Sequence, residues 1–508
     1  MLAARKAFRV LATLVALSLA GCDSFDDAAL NVAVIGDTSD PFESGIRLSV
    51  AGQLTRAARA EGLVAFDEKG RVIPALADRW IVTDDGRSYI FRLRDGDWAS
   101  GDPITAESAR ASLVAALKSL NGTSLGRDLS VIDEVRVMAG RVIEIRLGRP
   151  MPYLLQLLAQ PEVGLFEDGK GAGPMSMTKL GNVARLTPIN PAELGLPEIL
   201  NWDERTRQIN LLAIGGAQAV ERFNEGQADL VLGGQIQDFP LTRSVGILRG
   251  TIQLDPVVGL FGLLVMNEKG FLADPANREA LAMAIDRGKL IAPFGLGGWD
   301  PTTRIVTPAL DGDIGTIGER WSEQSLDQRR EVAAARVRQW RSASGRDEQK
   351  DGDAATRAPA APGGLVLRVW LPEGEGSTIL FDNLASDLAT IGASLERVDE
   401  FADADLALMD DVARYPSAVW YLNRLSCGLK RGLCSKQADA LVAEAATAGT
   451  PQERAALLTE AEAELTSANV FIPFGSPVRW SLVRGSVDGF AVNGWGWHPL
   501  MPLAWLPK

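Results

Sequence analysis

One feature limits the fold before any other. The only apolar stretch that approaches membrane length is residues 10–20, 11 residues at the start of the chain. A bilayer span takes about 20 such residues. The rest of the chain must therefore bury its apolar side chains against itself, in water. Arg5, Lys6 and Arg9 precede the stretch, giving the charged-then-apolar order of a secretory signal. Removing residues 1–21 from the 508 leaves enough chain for two to three domains with sizeable cores.

The apolar stretch ends in Leu19-Ala20-Gly21-Cys22, a sequence similar to a bacterial lipobox. In such signals the cysteine thiol accepts a diacylglycerol and the chain is cut just before it. Cys22 is thus expected to carry lipid, with 22–29 as a polar tether, and several acyl chains suffice to hold a protein at a membrane. Asp23 points to retention at the inner membrane, facing the periplasm. Two cysteines remain, Cys427 and Cys434, bracketing Gly-Leu-Lys-Arg-Gly-Leu. In an exported chain an even pair favours a disulfide closing a small loop. The alternatives are two free thiols or half of a metal site, but no histidine or second cysteine pair lies nearby.

Charge and composition exclude several classes. The formal net charge is −13, and it grows more negative once the basic leader is gone. Such a chain gains nothing from a phosphate backbone, so no nucleic acid partner is expected. The only histidine is His498, between Trp497 and Pro499. Neither a Ser-His-Asp triad nor a multi-histidine zinc site can be built around it, and a packing role fits better. Gly171-Ala-Gly173-Pro174 lacks the lysine and following Ser/Thr of a phosphate cradle. Carboxylate pairs such as Asp84-Asp85 and Asp410-Asp411 arise by chance among 65 acidic residues. The chain is expected to be no enzyme, with no cofactor and no metal.

The pattern along the chain mixes strands and helices. Leu30–Ile35 reads as a strand, and residues 47–61 carry a helical apolar period. Asp67-Glu-Lys-Gly70 is a turn. Two strands around Trp80 and at Ser88–Leu93 are joined through Asp84-Asp85-Gly86-Arg87, a hairpin signal. Thr105 caps a helix with Glu107 in its first turn and Ala109, Leu113, Ala116 and Leu117 on one face. Residues 135–137 and Val142–Leu147 make a second hairpin. Asp274 caps a further helix with Pro275 in its first turn, and Ala280, Leu281, Ala284 and Ile285 share a face.

These residues carry a resemblance. Residues 61–80, Glu-Gly-Leu-Val-Ala-Phe-Asp-Glu-Lys-Gly-Arg-Val-Ile-Pro-Ala-Leu-Ala-Asp-Arg-Trp, resemble the family 5 extracellular solute-binding proteins. These are the oligopeptide-, dipeptide- and nickel-binding proteins of ABC importers. The match continues through Asp85-Gly86, Tyr89, Phe91, Leu93-Arg94, Trp98, Gly101 and Thr105-Ala106. Later blocks follow in order: 171–174, the strand and helix at 261–285, the segments at 365–371 and 384–395, and the cysteine-bracketed loop with the helix after it. The resemblance covers roughly residues 30–508.

The resemblance implies an α/β fold, a two-lobed clam with an extra N-terminal subdomain and a ligand between the lobes. Lobe I would comprise 30–258 with a subdomain at 61–169, plus the return at 476–508. Lobe II would be 259–475, with hinges near 257–259 and 474–476. Residues 342–364, rich in Ser, Asp, Ala, Pro and Gly, read as a disordered insertion.

The resemblance also implies that an aspartate in the late lobe II segment holds a peptide's amino terminus. Here Arg414 stands at that place, before Tyr415-Pro416, with Ser417 where a second acid is usual. Arginine repels an ammonium and pairs bidentately with a carboxylate or phosphate. Three readings stay open: Arg414 contacts the ligand, Asp411 supplies the anchor after a local shift, or Arg414 is a surface charge. Trp420, Tyr421, Trp495 and Trp497 are candidate aromatic walls, with core packing as the alternative. Met266 and Asn267 are placed at the cleft border.

The expected function is capture of a peptide or related small solute for an ABC permease and ATPase, by a monomer anchored through lipid. Alternatives are a metal-chelate binder of the same fold and an envelope sensor or interaction lipoprotein.

Overall fold

Strand Leu30–Ile35 is the axis of the first sheet. It pairs in parallel with Ile209–Ile214 on one side and Leu230–Gly234 on the other. All three are dense in Val, Leu, Ile and Ala and almost fully buried, as strands covered on both faces must be. Helix Gly216–Asn224 makes the crossover that parallel pairing requires. Antiparallel strands complete seven: 252–254 and 480–483 at one edge, 183–188 and 175–180 at the other. The computed structural model describes residues 29–246, 250–347 and 364–507. The expected leader, the Cys22 lipid site and residues 348–363 lie outside the described residues.

A four-stranded antiparallel sheet is inserted after helix Val50–Arg59. Its order is 77–82, 88–93, 142–147, 132–138. Gly86, at φ 65°, sits in the turn between the first two strands, a conformation open to glycine. Thr105 caps helix Ala106–Ser119 by accepting from Ser108 N–H at 3.0 Å.

The third sheet has five strands, in the order 393–398, 365–370, 406–412, 259–265, 471–475. Strand Gly259–Val265 is buried along its whole length. The chain leaves the first sheet after Ile252–Leu254, enters this one at Gly259, and returns from Phe471–Gly475 to Trp480–Val483. Two short crossings therefore connect the large sheets. Helix Leu326–Asp347 runs through the first residues of the segment expected to be irregular from 342. Asp274 caps helix Pro275–Ala284, accepting from Ala276 N–H at 2.9 Å.

The apolar clusters cross the sheets' boundaries. One joins Phe91, Leu125, Leu129 and Leu154 of the inserted subdomain to Tyr415, Val419 and Leu422 beyond the third sheet. Another joins Ile214, Phe223 and Trp480 of the first sheet to Phe261, Leu367 and Phe474 of the third. The two lobes are thus pressed together, with apolar side chains continuous across the contact. The molecule is a mixed α/β, two-lobed structure with an added subdomain.

A cation-lined cavity between the lobes

Three parts of the chain converge on one cavity of about 780 Å³. The first is loop 43–49 of lobe I. Ser49 donates to Glu43 Oε2 from both its N–H, at 2.7 Å, and its hydroxyl, at 2.9 Å. Ser49 also caps helix Val50–Arg59 through Gly52 N–H. These bonds fix the loop so that Ile46, Arg47 and Leu48 line the cavity. The second part is the subdomain, which supplies Leu120, Thr123, Leu125 and Glu162. The third is lobe II, which supplies Arg414, Arg424, Leu429, Lys430 and Arg431.

The lobe II cations come from two neighbouring elements. Arg424 ends helix Ala418–Arg424, capped by Ser417. Lys430 and Arg431 sit in the loop that Cys427 and Cys434 close as a disulfide. Lys430 itself takes the left-handed conformation, φ 51°, at the end of a short turn. Leu433 N–H bonds Val265 O at 2.7 Å and ties the loop to the end of strand Gly259–Val265.

Charge is arranged in layers. Asp411, at the end of strand Leu406–Val412, accepts from Arg424 and, at 3.0 Å, from Arg431. Burial pushes its carboxyl upward, but the two guanidiniums outweigh that and hold it below the ordinary range. Arg414 reaches across the cleft. It donates to Glu162 Oε1 at 2.9 Å and to Gln160 Oε1 at 3.0 Å. Glu162 is buried, which raises its pKa, yet Arg414 brings the net shift downward. Arg47 and Lys430 are exposed and have no ion-pair partner among the described residues.

Beside the cavity the lobes meet on a buried acid. Asp128 Oδ1 accepts from Tyr415 Oη at 3.0 Å and Asn423 Nδ2 at 2.9 Å. Burial pushes its pKa up to about 6, against the pull of these two donors. Tyr415 stacks on Tyr153 with ring centroids 5.4 Å apart.

Of the residues expected to form a site, Arg414 lines this cavity and Asp411 stands behind its wall. The others are spent elsewhere. Tyr415, Trp420 and Tyr421 are buried in the interlobe core. Trp495 donates its indole N–H to Gly70 O at 2.8 Å, and Trp497 packs on the first sheet. Met266 packs against the core, and Asn267 donates to Asp405 at 3.0 Å. His498 faces Asp255 at 3.1 Å and stacks on Phe490. Arg47, Glu162, Arg424, Lys430 and Arg431 were not anticipated. A signal existed for three of them: Arg424, Lys430 and Arg431 follow Arg414 closely, in a chain otherwise poor in lysine.

A second cavity, about 610 Å³, lies where the two crossings meet. Its ionisable lining is largely committed: Asp255 to His498, Arg479 to Asp410, and Glu319 to Thr302 and Thr303. It offers a solute less than the first cavity does. Among the described residues no group of three His, Cys, Asp or Glu side chains could hold a metal, and no helix is long and apolar enough to cross a membrane.

Residues 71–181 match the model of bacterial extracellular solute-binding proteins, family 5 middle. The chain is 26% identical over 259 residues to the periplasmic murein peptide-binding protein MppA of Escherichia coli, covering 45% of this chain and 47% of that one. The chain thus matches about half the length of that curated relative. The solved structure of the E. coli murein tripeptide binding protein MppA superposes with a TM-score of 0.75 at 20% identity, over 95% of this chain and 99% of that one. NikA from Brucella suis in complex with Fe(III)-EDTA superposes with a TM-score of 0.71 at 19% identity, over 95% of this chain and all of that one (100%). Residues 71–181 thus match the family 5 model of bacterial extracellular solute-binding proteins, and the fold of the described chain is the one these solved binding proteins share.

Proposed function

We propose that the chain is the capture component of an ABC importer, taking a small solute into the cavity between its lobes and handing it to a membrane permease. The observation that carries this reading is the cavity itself. Its 780 Å³ suit a solute of drug or short-peptide size, and both lobes and the subdomain wall it. Closing the lobes therefore completes the site, as hinge-type binding proteins do. The crossings at 254–259 and 475–480 would act as the hinge, with 30–258 and 476–508 as one moving body and 259–475 as the other. A lipid on Cys22 would keep the monomer at the periplasmic face of the membrane, beside its permease.

The E. coli relative is named for murein peptide binding, which favours a peptide or a peptide-like solute. A second reading, a metal chelate, draws on the cations that line the cavity. The test is mass spectrometry of what the purified protein releases on mild denaturation, with a melting screen against peptides, chelates and anionic solutes. A ligand at about 100 times its Kd adds about 2.7 kcal/mol of stability, which a melting curve resolves. A released solute and a matching shift are expected. No release and no shift from any pool would refute the capture reading.

A further inference from the structure

Five cations line the cavity: Arg47, Arg414, Arg424, Lys430 and Arg431. Against them stand Glu162 in the wall, Asp411 behind it and Asp128 beside it. Positive charge stays in excess even with all three carboxylates ionised. The excess is not randomly placed. Arg424 is mostly buried, and its Nε is buried without an acceptor among the described residues. Its pairing with Asp411 fixes this guanidinium at the cavity wall. Arg47 and Lys430 line opposite walls, one from lobe I and one from lobe II, with no carboxylate paired to either among the described residues. Two like charges brought together by lobe closure repel unless an anion lies between them.

Resting on the capture reading, we propose that this cavity selects a small oligoanion: a solute with at least two carboxylate or phosphate groups and no ammonium at the Arg414 position. One anionic group meets Arg424 and Arg431 on lobe II. A second is held between Arg47 and Lys430 and offsets their repulsion on closure. Arg414, held by Glu162, keeps an amino terminus away from that wall.

The test titrates the full-length chain with five probes: citrate, N-acetyl-diglutamate, glucose 1,6-bisphosphate, tri-alanine and di-lysine. The three anions separate a simple polycarboxylate, an acidic peptide and an organic phosphate. At least one anion is expected to bind more tightly than tri-alanine and di-lysine by about tenfold or more, and to weaken steeply with salt. The Arg47→Gln/Lys430→Gln variant removes no ion pair, so it is expected to keep its melting temperature and lose about tenfold in anion affinity. Arg424→Gln is the harsher variant; it disturbs Asp411, and its melting curve reports that separately.

Tri-alanine or di-lysine binding as tightly as every anion would overturn the oligoanion inference and leave the capture reading standing. So would a co-purifying solute with fewer than two anionic groups, or an unchanged anion affinity in the double variant. Failure of all five probes, with no solute released on denaturation, would overturn both.

Discussion

Arg414 spans the cleft to Glu162, so one ion pair records whether the lobes are together. Removing one partner of such a pair leaves the other charge in a poorly hydrated place, and Glu162 is the more deeply buried of the two. Arg414→Ala is expected to cost about 3 kcal/mol in urea unfolding. Glu162→Gln is expected to cost less, since Arg414 keeps Gln160 and some water. The double variant should lose less than the sum, and strict additivity would show that the pair is not formed in solution. Asp128 gives a second residue-scale expectation. Its pKa in the closed molecule, about 6, lies above the ordinary 3.8, so its protonated form stabilises closure. That contribution is present below about pH 4 and lost as pH rises through about 6. Asp128→Asn should therefore melt close to the parent near pH 4 and above it near pH 7. A melting difference that stays flat across this window would remove Asp128 from the account. The sequence pointed to Arg414 because a local pattern framed it. It could not point to Glu162 or Asp128, whose importance arises from contacts with residues more than 250 positions away.

Elements were far more legible than sites. The Asp84-Asp85-Gly86-Arg87 turn, the Thr105 cap and the Asp274-Pro275 helix start are local chemistry, and each appears where that chemistry put it. Helix Leu326–Asp347, which the sequence reading did not propose, runs into the segment read as irregular from 342, and Ala333 and Val337 bury its earlier turns. For the aromatic candidates the core-packing alternative fits the burial of Trp420 and Tyr421. Trp420 and Tyr421 sit buried on the short helix that also carries Arg424, whose guanidinium lies 5.8 Å from the centre of the Trp420 ring. The loop between Cys427 and Cys434 matters for where it holds Lys430 and Arg431. A closed loop this small contributes roughly 2–3 kcal/mol through the unfolded chain. Cys427→Ser/Cys434→Ser should lower stability by about that amount at most. Its larger effect should fall on ligand affinity, because the freed loop no longer presents its cations in fixed positions. Equal affinity in the parent and the double serine variant, measured by calorimetry with the released ligand, would make the loop a mere staple.

At the scale of the molecule, the proposed capture depends on how closely the two lobes approach, and glycine permits that approach at a contact outside the cavity lining. The start of helix Glu375–Ala389 in lobe II lies directly on residues 236–237 of lobe I. Gly376 N–H donates to Gln237 O at 2.9 Å across this contact. A Cβ on Gly376 would stand 2.1 Å from Ile236 O, and one on Gly374 2.6 Å from Gln237 O. Both neighbours are backbone atoms that no rotamer change can move aside. Gly374 also takes φ 138°, which a side chain resists. Gly376→Val should therefore prop the lobes apart and open the apolar cluster between them at Ile236, while leaving every cavity side chain in place. Two readouts should move together. Small-angle scattering should give a larger radius of gyration than the parent in the presence of ligand. Ligand affinity should fall by about tenfold or more, because binding must then oppose the steric block. Thermal unfolding should still be cooperative, since each lobe keeps its own sheet. If the variant bound ligand as tightly as the parent with an unchanged radius of gyration, this contact would not be part of the closed state. Lobe closure would then have to be governed at the crossings 254–259 and 475–480 alone.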